Sequence, residues 1–349
     1  MLSFRAASAL ALFALLNTKL VTCRSPGESS ADASPTRSET KDVTLAGVDT
    51  SALTAREKSE WSRFVSELRS PCADQPVSLA QCVSESRPCK ACVPAAKALA
   101  KQVQRGRTRQ QVEAYYKARF SADGVKDITL EDSPSKGNPG APVLLVEFAD
   151  FQCPACRAAR PLIEEALKKH EGQTRLVFKN FPLSVHPYGE KLARSGRAAL
   201  LQGKFWEMYA AMFDNQDRIS PPVIEELAKG LGLDMAKFQK DVESEAVADA
   251  VSRDRKQGER LDIQSTPTLY INGRLFPSSP DFAEDLEDWI TLEVELTGGS
   301  APTPPRAPAP SASPAVSTSA AAPAPSAAPA HGAAPVHSPA PSGSVTKKL

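Results

Sequence analysis

The residues of this chain best suited to covalent chemistry are Cys153-Pro154-Ala155-Cys156. They sit where an apolar run, Val143-Leu144-Leu145-Val146-Glu147-Phe148, gives way to a helical pattern beginning at Ala155. A CxxC at a strand-to-helix junction puts its first sulfur at a helix N-terminus. Unpaired backbone N–H groups and the macrodipole there favour a thiolate over a thiol. In such settings a cysteine pKa falls from ~8.5 into the range of roughly 3.5–7.5, and the thiolate is the nucleophile of disulfide exchange. Cys153 is therefore expected to attack, or be attacked, at the exposed helix end. Cys156, one turn further in, is expected to resolve the mixed disulfide. Pro154 suits the first turn, where its missing N–H is not needed.

Composition narrows the alternatives. Lys plus Arg number 42 against 41 Asp plus Glu, so the chain has no basic surplus for nucleic acid. Neither a Gly-rich phosphate loop nor a Ser/His/Asp set stands out, and no cofactor is implied. His186 precedes a proline and is expected to shape a turn. Arg5 and the apolar stretch from Ala6 to Leu16 read as a signal peptide over residues 1–22, too short to span a bilayer. The sequence Leu20-Val21-Thr22-Cys23 resembles the lipobox of bacterial lipoproteins, which implies lipidation of Cys23, a membrane anchor and a periplasmic location. The cysteine total agrees: seven is odd, and removing Cys23 leaves six to pair in an oxidising compartment.

The elements that must position the CxxC follow from periodicity. Residues 23–52 are polar and read as a flexible tether. Residues 53–127 form a small helical module, with Trp61, Phe64, Val65 and Leu68 on one stripe and Val93, Ala96, Leu99 and Val103 on another. A Pro/Gly/Ser-rich linker covers 128–141. From 142 to 297 the pattern is α/β: the first strand, the CxxC helix, a strand over 175–181, a long helical stretch from His186 to about Leu261, and a hairpin around Asn272-Gly273. A last helix begins near Pro280, with Phe282, Leu286, Trp289 and Ile290 as its stripe. Residues 298–349, rich in Pro, Ala and Ser without period, read as a disordered tail.

The stretch from Phe148 to Cys156 resembles the DsbA-like branch of the thioredoxin superfamily. Thr266-Pro267 before a strand looks like that family's cis-proline loop, and Pro161 like the proline within its active-site helix. Asn180-Phe181-Pro182-Leu183, His186-Pro187 and Gln202-Gly203-Lys204-Phe205-Trp206 resemble the route into its inserted helical domain. The resemblance implies a thioredoxin fold with a helical insertion and a thiol–disulfide oxidoreductase, a disulfide oxidase in the first instance. Its substrates would be cysteine-containing polypeptides, and a redox partner would reset the pair. Cys153, Cys156, Glu147 and Pro267 would be catalytic; Pro154, Ala155, Thr266 and Pro267 would meet the substrate, the Thr266 backbone by strand addition. Glu147 lies six residues before Cys153, the offset of the family's glutamate, and would relay a proton to or from Cys156. A reductase or isomerase, cytochrome c maturation included, is the alternative within the class. A non-catalytic polypeptide-binding module is the alternative outside it.

A second CxxC, Cys89-Lys90-Ala91-Cys92, also opens a helix. Its surroundings resemble the CcmH-type thiol-reductase domain of cytochrome c maturation, with Pro88 separating Arg87 from Cys89 where that family has Arg next to Cys. The expectation is a structural disulfide, Cys72–Cys82, and a second redox pair, Cys89–Cys92. A loop of eleven residues stabilises by ~3 kcal/mol and one of four by ~2, which favours the first as the staple. The 72, 82, 89, 92 spacing holds only one CxxC, so no metal is expected.

Overall fold

The structure, a computed structural model, describes residues 42–277 and 279–298. The expected signal peptide, Cys23 and nearly all of the tail lie outside the described residues, as does most of the tether. Three helices open the described chain: α1 (Ala55–Glu67), α2 (Leu79–Ser84) and α3 (Cys92–Gln104), followed by α4 (Arg109–Phe120). Capping boxes start two of them. The Thr54 N–H donates to Glu57 and the Glu57 N–H to Thr54 Oγ1, and Thr108 and Gln111 repeat the arrangement on α4.

A five-stranded sheet follows in the order β1-β3-β2-β4-β5. The strands are β1 (Ser135–Gly137), β2 (Val143–Ala149), β3 (Thr174–Asn180), β4 (Thr268–Ile271) and β5 (Arg274–Leu275). β2 and β3 run parallel with Val146 opposite Val177, joined through α5 (Pro154–Lys169); β1, β4 and β5 pair antiparallel. Between β3 and β4 lie α6 (Gly189–Leu200), α7 (Phe205–Asp214), α8 (Pro221–Gly230), α9 (Met235–Val242) and α10 (Glu245–Arg260), and α11 (Phe282–Thr297) closes the chain of elements. This is the thioredoxin arrangement with a helical insertion. Asn272 and Gly273 both take positive φ in the hairpin between β4 and β5, and a Cβ on Gly273 would meet the Lys126 carbonyl at 2.7 Å.

Buried charge fastens the insertion to the sheet. Asp254 of α10 accepts from Lys179 Nζ at 3.0 Å and from the Asn180 amide of β3, and Arg197 of α6 reaches it at 3.2 Å. All four residues are almost fully enclosed, so each charge depends on the others for solvation.

Three features depart from the sequence reading. Leu45 and Val48, read as tether, are buried, and the Val43 N–H donates to Ser62 Oγ at 2.9 Å. Their apolar spacing matches neither a helix nor a strand, so periodicity misses them. Ser135–Gly137, read as linker, pairs with β3 as an edge strand. Third, the disulfides are Cys72–Cys89 and Cys82–Cys92, not Cys72–Cys82 and Cys89–Cys92. α2 packs against α3, which brings Cys82 to Cys92 at the first position of α3 and leaves Cys89 facing the loop that carries Cys72. Both observed pairs close longer loops than a CxxC does, so together they destabilise the unfolded chain by about 1 kcal/mol more than the expected pairs would.

The helical module and the α/β core share one interior. Trp289 of α11 is fully buried, edge-on to Tyr115 of α4 and to Phe276. Arg119 lies over the Trp289 ring and 2.8 Å from Glu293, both side chains nearly inaccessible to water. Arg105 and Arg107 meet Asp281, Asp285 and Asp288 along the same helix. Replacing one partner of a buried pair strands the other charge and costs about 3–5 kcal/mol. Arg119→Leu should therefore lower the urea midpoint sharply, and Arg119→Leu/Glu293→Leu should recover most of the loss. A double variant no more stable than the single one would rule out the stranded charge as the cause.

Candidate active site

β2 delivers the chain to the CxxC, and the loop from Asp150 to Cys153 is held on every side. Asp150 is buried; its Oδ1 accepts from the Gln152 N–H at 2.8 Å, and its Oδ2 accepts from the Leu183 N–H at 2.7 Å. His186 Nδ1 lies 2.7 Å from the same Oδ2. His186 thus shapes the turn expected of it, and in addition ties the entry of the insertion to the loop. Gln216, from the turn after α7, donates to the carbonyls of Phe151 at 2.8 Å and Cys153 at 3.0 Å. Neither Gln216 nor the ties of Asp150 have a periodic or motif signal of their own. Apart from the local bond to Gln152, they act through chain segments more than thirty residues away and emerge only on folding.

Cys153 is the N-cap of α5, Pro154 is its first residue, and both Cys153 and Cys156 are free thiols. The Cys156 thiol beside Cys153 lowers the Cys153 pKa to about 5. The Thr266 side chain and the backbone N–H groups of Cys156 and Ala155 add to this, against the opposing effect of burial. Cys156 is fully enclosed, and burial pushes its thiol strongly upward, with the Cys153 sulfur and the Glu147 charge adding to the effect. One sulfur is thus poised as a thiolate at neutral pH and the other as a thiol.

Glu147 is also fully enclosed, so it does not face solvent from a strand end. Neither carboxyl oxygen has a hydrogen-bond partner among the described residues. Burial, helped by the charge of Glu164, raises its pKa to about 8. The Thr266–Pro267 peptide is cis, and the Cys153 thiol meets the Thr266 carbonyl at 3.3 Å. Beside this contact opens a mostly apolar cavity of about 530 Å³, lined by Ala155, Ala158 and Leu162 of α5, by the loop carrying Thr266 and Pro267, and by Phe276 and Phe282. The structure therefore brings Cys153, Ala155, Thr266 and Pro267 together, with Pro154 following Cys153 in α5 and with Cys156 and Glu147 enclosed. Cys72, Cys82, Cys89 and Cys92 belong to the helical module and are tied to one another.

The raised pKa of Glu147 has a definite sign in stability. Between its unfolded value, 4.5, and about 8, the folded protein holds a proton that the unfolded chain has lost. Its stabilising contribution is complete below pH 4.5 and disappears as pH rises through 8. Reduced wild type and Glu147→Gln, compared pH by pH, should diverge across this window. The variant should become the more stable, by on the order of a few kcal/mol, at alkaline pH. Parallel pH profiles would contradict a carboxyl group held neutral in the interior.

Comparison with known proteins places this geometry. The Thioredoxin family matches residues 129–291. The "Probable disulfide bond formation protein D" of Bacillus cereus is 34% identical over 163 residues, which cover 42% of this chain and 73% of that protein. The "Na(+)/H(+) antiporter NhaA 1" of Mycolicibacterium vanbaalenii is 40% identical over 142 residues, 40% of this chain and 23% of the antiporter. The chain thus spans about a quarter of the length of the antiporter relatives it matches. Among solved structures, oxidised BdbD from Bacillus subtilis is 24% identical and covers 50% of this chain and 98% of its own, with a TM-score of 0.44. The agreement in sequence over most of a disulfide formation protein makes this chain a member of the DsbA-like thiol–disulfide oxidoreductases of the thioredoxin superfamily.

Proposed function

We propose that the protein is an exported disulfide oxidase that passes the Cys153–Cys156 disulfide to cysteine-containing polypeptides. The observation that carries this reading is the depressed pKa of Cys153, about 5. A stabilised thiolate stabilises the reduced form of the pair, which makes the disulfide a stronger oxidant. Two pH units below neutrality correspond to about 60 mV in a two-electron couple at pH 7. The Bacillus cereus relative, a probable disulfide bond formation protein, points the same way.

The steps follow from the two sulfurs. A substrate thiolate attacks Cys153 Sγ in the disulfide, forming a mixed disulfide and expelling Cys156 as a thiolate. Buried, Cys156 needs a proton, and Glu147, neutral below about pH 8, supplies it. A second substrate thiolate then attacks the substrate sulfur of the mixed disulfide. The substrate leaves oxidised by two electrons, and Cys153 leaves as its stable thiolate. The apolar cavity beside Thr266 offers a place for an extended substrate segment, with the Thr266 backbone within reach for strand addition. A redox partner removes the two electrons, and the Cys156 proton returns to Glu147 as the disulfide is restored.

Cys153→Ser should abolish exchange, and Cys156→Ser should accumulate mixed disulfides that survive acid quenching. Retention of turnover in Cys153→Ser would end the assignment of this pair. The direction is read by equilibrating the pair in glutathione buffers. A potential towards ~−120 mV is expected, whereas one near ~−270 mV would make the protein a reductase. Export and anchoring rest on residues 1–23. Cys23→Ser should move the protein from the membrane to the soluble fraction, and unchanged fractionation would remove the lipid anchor from the proposal.

A further inference from the structure

We propose that the four cysteines of the helical module form a second exchange centre, with Cys72 as the entry sulfur and Cys89 as an internal nucleophile. It is separate from the Cys153–Cys156 pair and does not depend on the direction in which that pair runs.

The placement of the sulfurs carries the inference. Cys89 Sγ, although bonded to Cys72, lies within 4.8 Å of both sulfurs of the neighbouring Cys82–Cys92 disulfide. At that separation a Cys89 thiolate, once released, needs only a small side-chain movement to attack either sulfur of the inner pair. Accessibility is graded as well. Cys72 is partly exposed, while Cys82, Cys89 and Cys92 are buried, so an external thiolate reaches Cys72 first. Cys89 is the better leaving group of the outer pair. It stands just ahead of α3, whose N-cap, Ala91, provides no side-chain cap, and the exposed Lys90 is its neighbour. The ammonium of that neighbour stabilises a thiolate at this place.

The sequence of bonds is balanced. A thiolate of an incoming dithiol attacks Cys72 Sγ, making a mixed disulfide and releasing Cys89 as a thiolate. Cys89 then attacks Cys82 or Cys92, forming a new disulfide and freeing the other sulfur of that pair as a thiolate. The second thiolate of the dithiol attacks its own sulfur in the mixed disulfide and frees Cys72. The dithiol is oxidised by two electrons, the module gains two thiols, and the one remaining disulfide is shared among Cys82, Cys89 and Cys92. The module can thus accept one electron pair without losing every crosslink.

The test uses the full chain with Cys153→Ser/Cys156→Ser, so that no other thiol pair consumes the reagent. The protein is treated with substoichiometric dithiothreitol, quenched in acid, alkylated and mapped by mass spectrometry. The expected product is a species reduced by two electrons, alkylated at Cys72, in which disulfides from Cys89 to Cys82 or Cys92 coexist with Cys82–Cys92. If Cys72 and Cys89 are always alkylated together over an intact Cys82–Cys92, or if all four thiols appear only together, the centre does not exist. Adding Cys72→Ser to the same chain gives an independent reading. The unpaired thiol should then be spread over Cys82, Cys89 and Cys92, and its confinement to Cys89 would overturn the proposal.

Discussion

A difference in solvation between two sulfur atoms three residues apart is the constraint around which this molecule is built. Cys153 lies at the end of α5, where hydrogen-bond donors converge on it, and Cys156 lies one turn inside, where few reach. The helix start fixes the first environment and the packing of α5 against the sheet fixes the second. The loop from Asp150 to Cys153 must hold still for either to persist. Its anchors come from both neighbours: Leu183 and His186 from the entry of the insertion, Gln216 from within it. The helical insertion thus supports the position of the nucleophile as well as standing beside it.

That support needs the insertion to be seated on the sheet, and the seat is electrostatic. Asp254 gathers Lys179 and Asn180 from β3 and Arg197 from α6 in a water-free setting. Such a cluster contributes little net stability against an apolar replacement, but it penalises any other docking angle, because a shifted helix strands a charge. The aromatic group of Phe151, Phe178, Phe205, Tyr209 and Phe213 fills the space between the seat and the CxxC loop. Packing there links the two ends of the same constraint.

Local signals in the sequence were enough for the CxxC, the strand that precedes it, the Asn272-Gly273 hairpin and the burial of Glu147 among apolar neighbours. Each depends on residues close in the chain: a helix start, an alternation, a turn that demands positive φ. What escaped depends on residues far apart. The cysteine pairing of the module is decided by how α2 meets α3, and no spacing rule contains that contact. Gln216 is an unremarkable polar residue until the fold brings it to two carbonyls of the loop. The buried stretch around Leu45 and Val48 has too few apolar residues to form a pattern, yet it joins the module's apolar core.

Sequence likeness to the Thioredoxin family begins at residue 129, yet Trp289, well inside that match, packs against Tyr115 and Arg119, which precede it. The stretch that matches the family and the stretch that folds together therefore have different edges. Without the helical module the Trp289 indole would be bared, and the aspartates of α11 would lose Arg105 and Arg107.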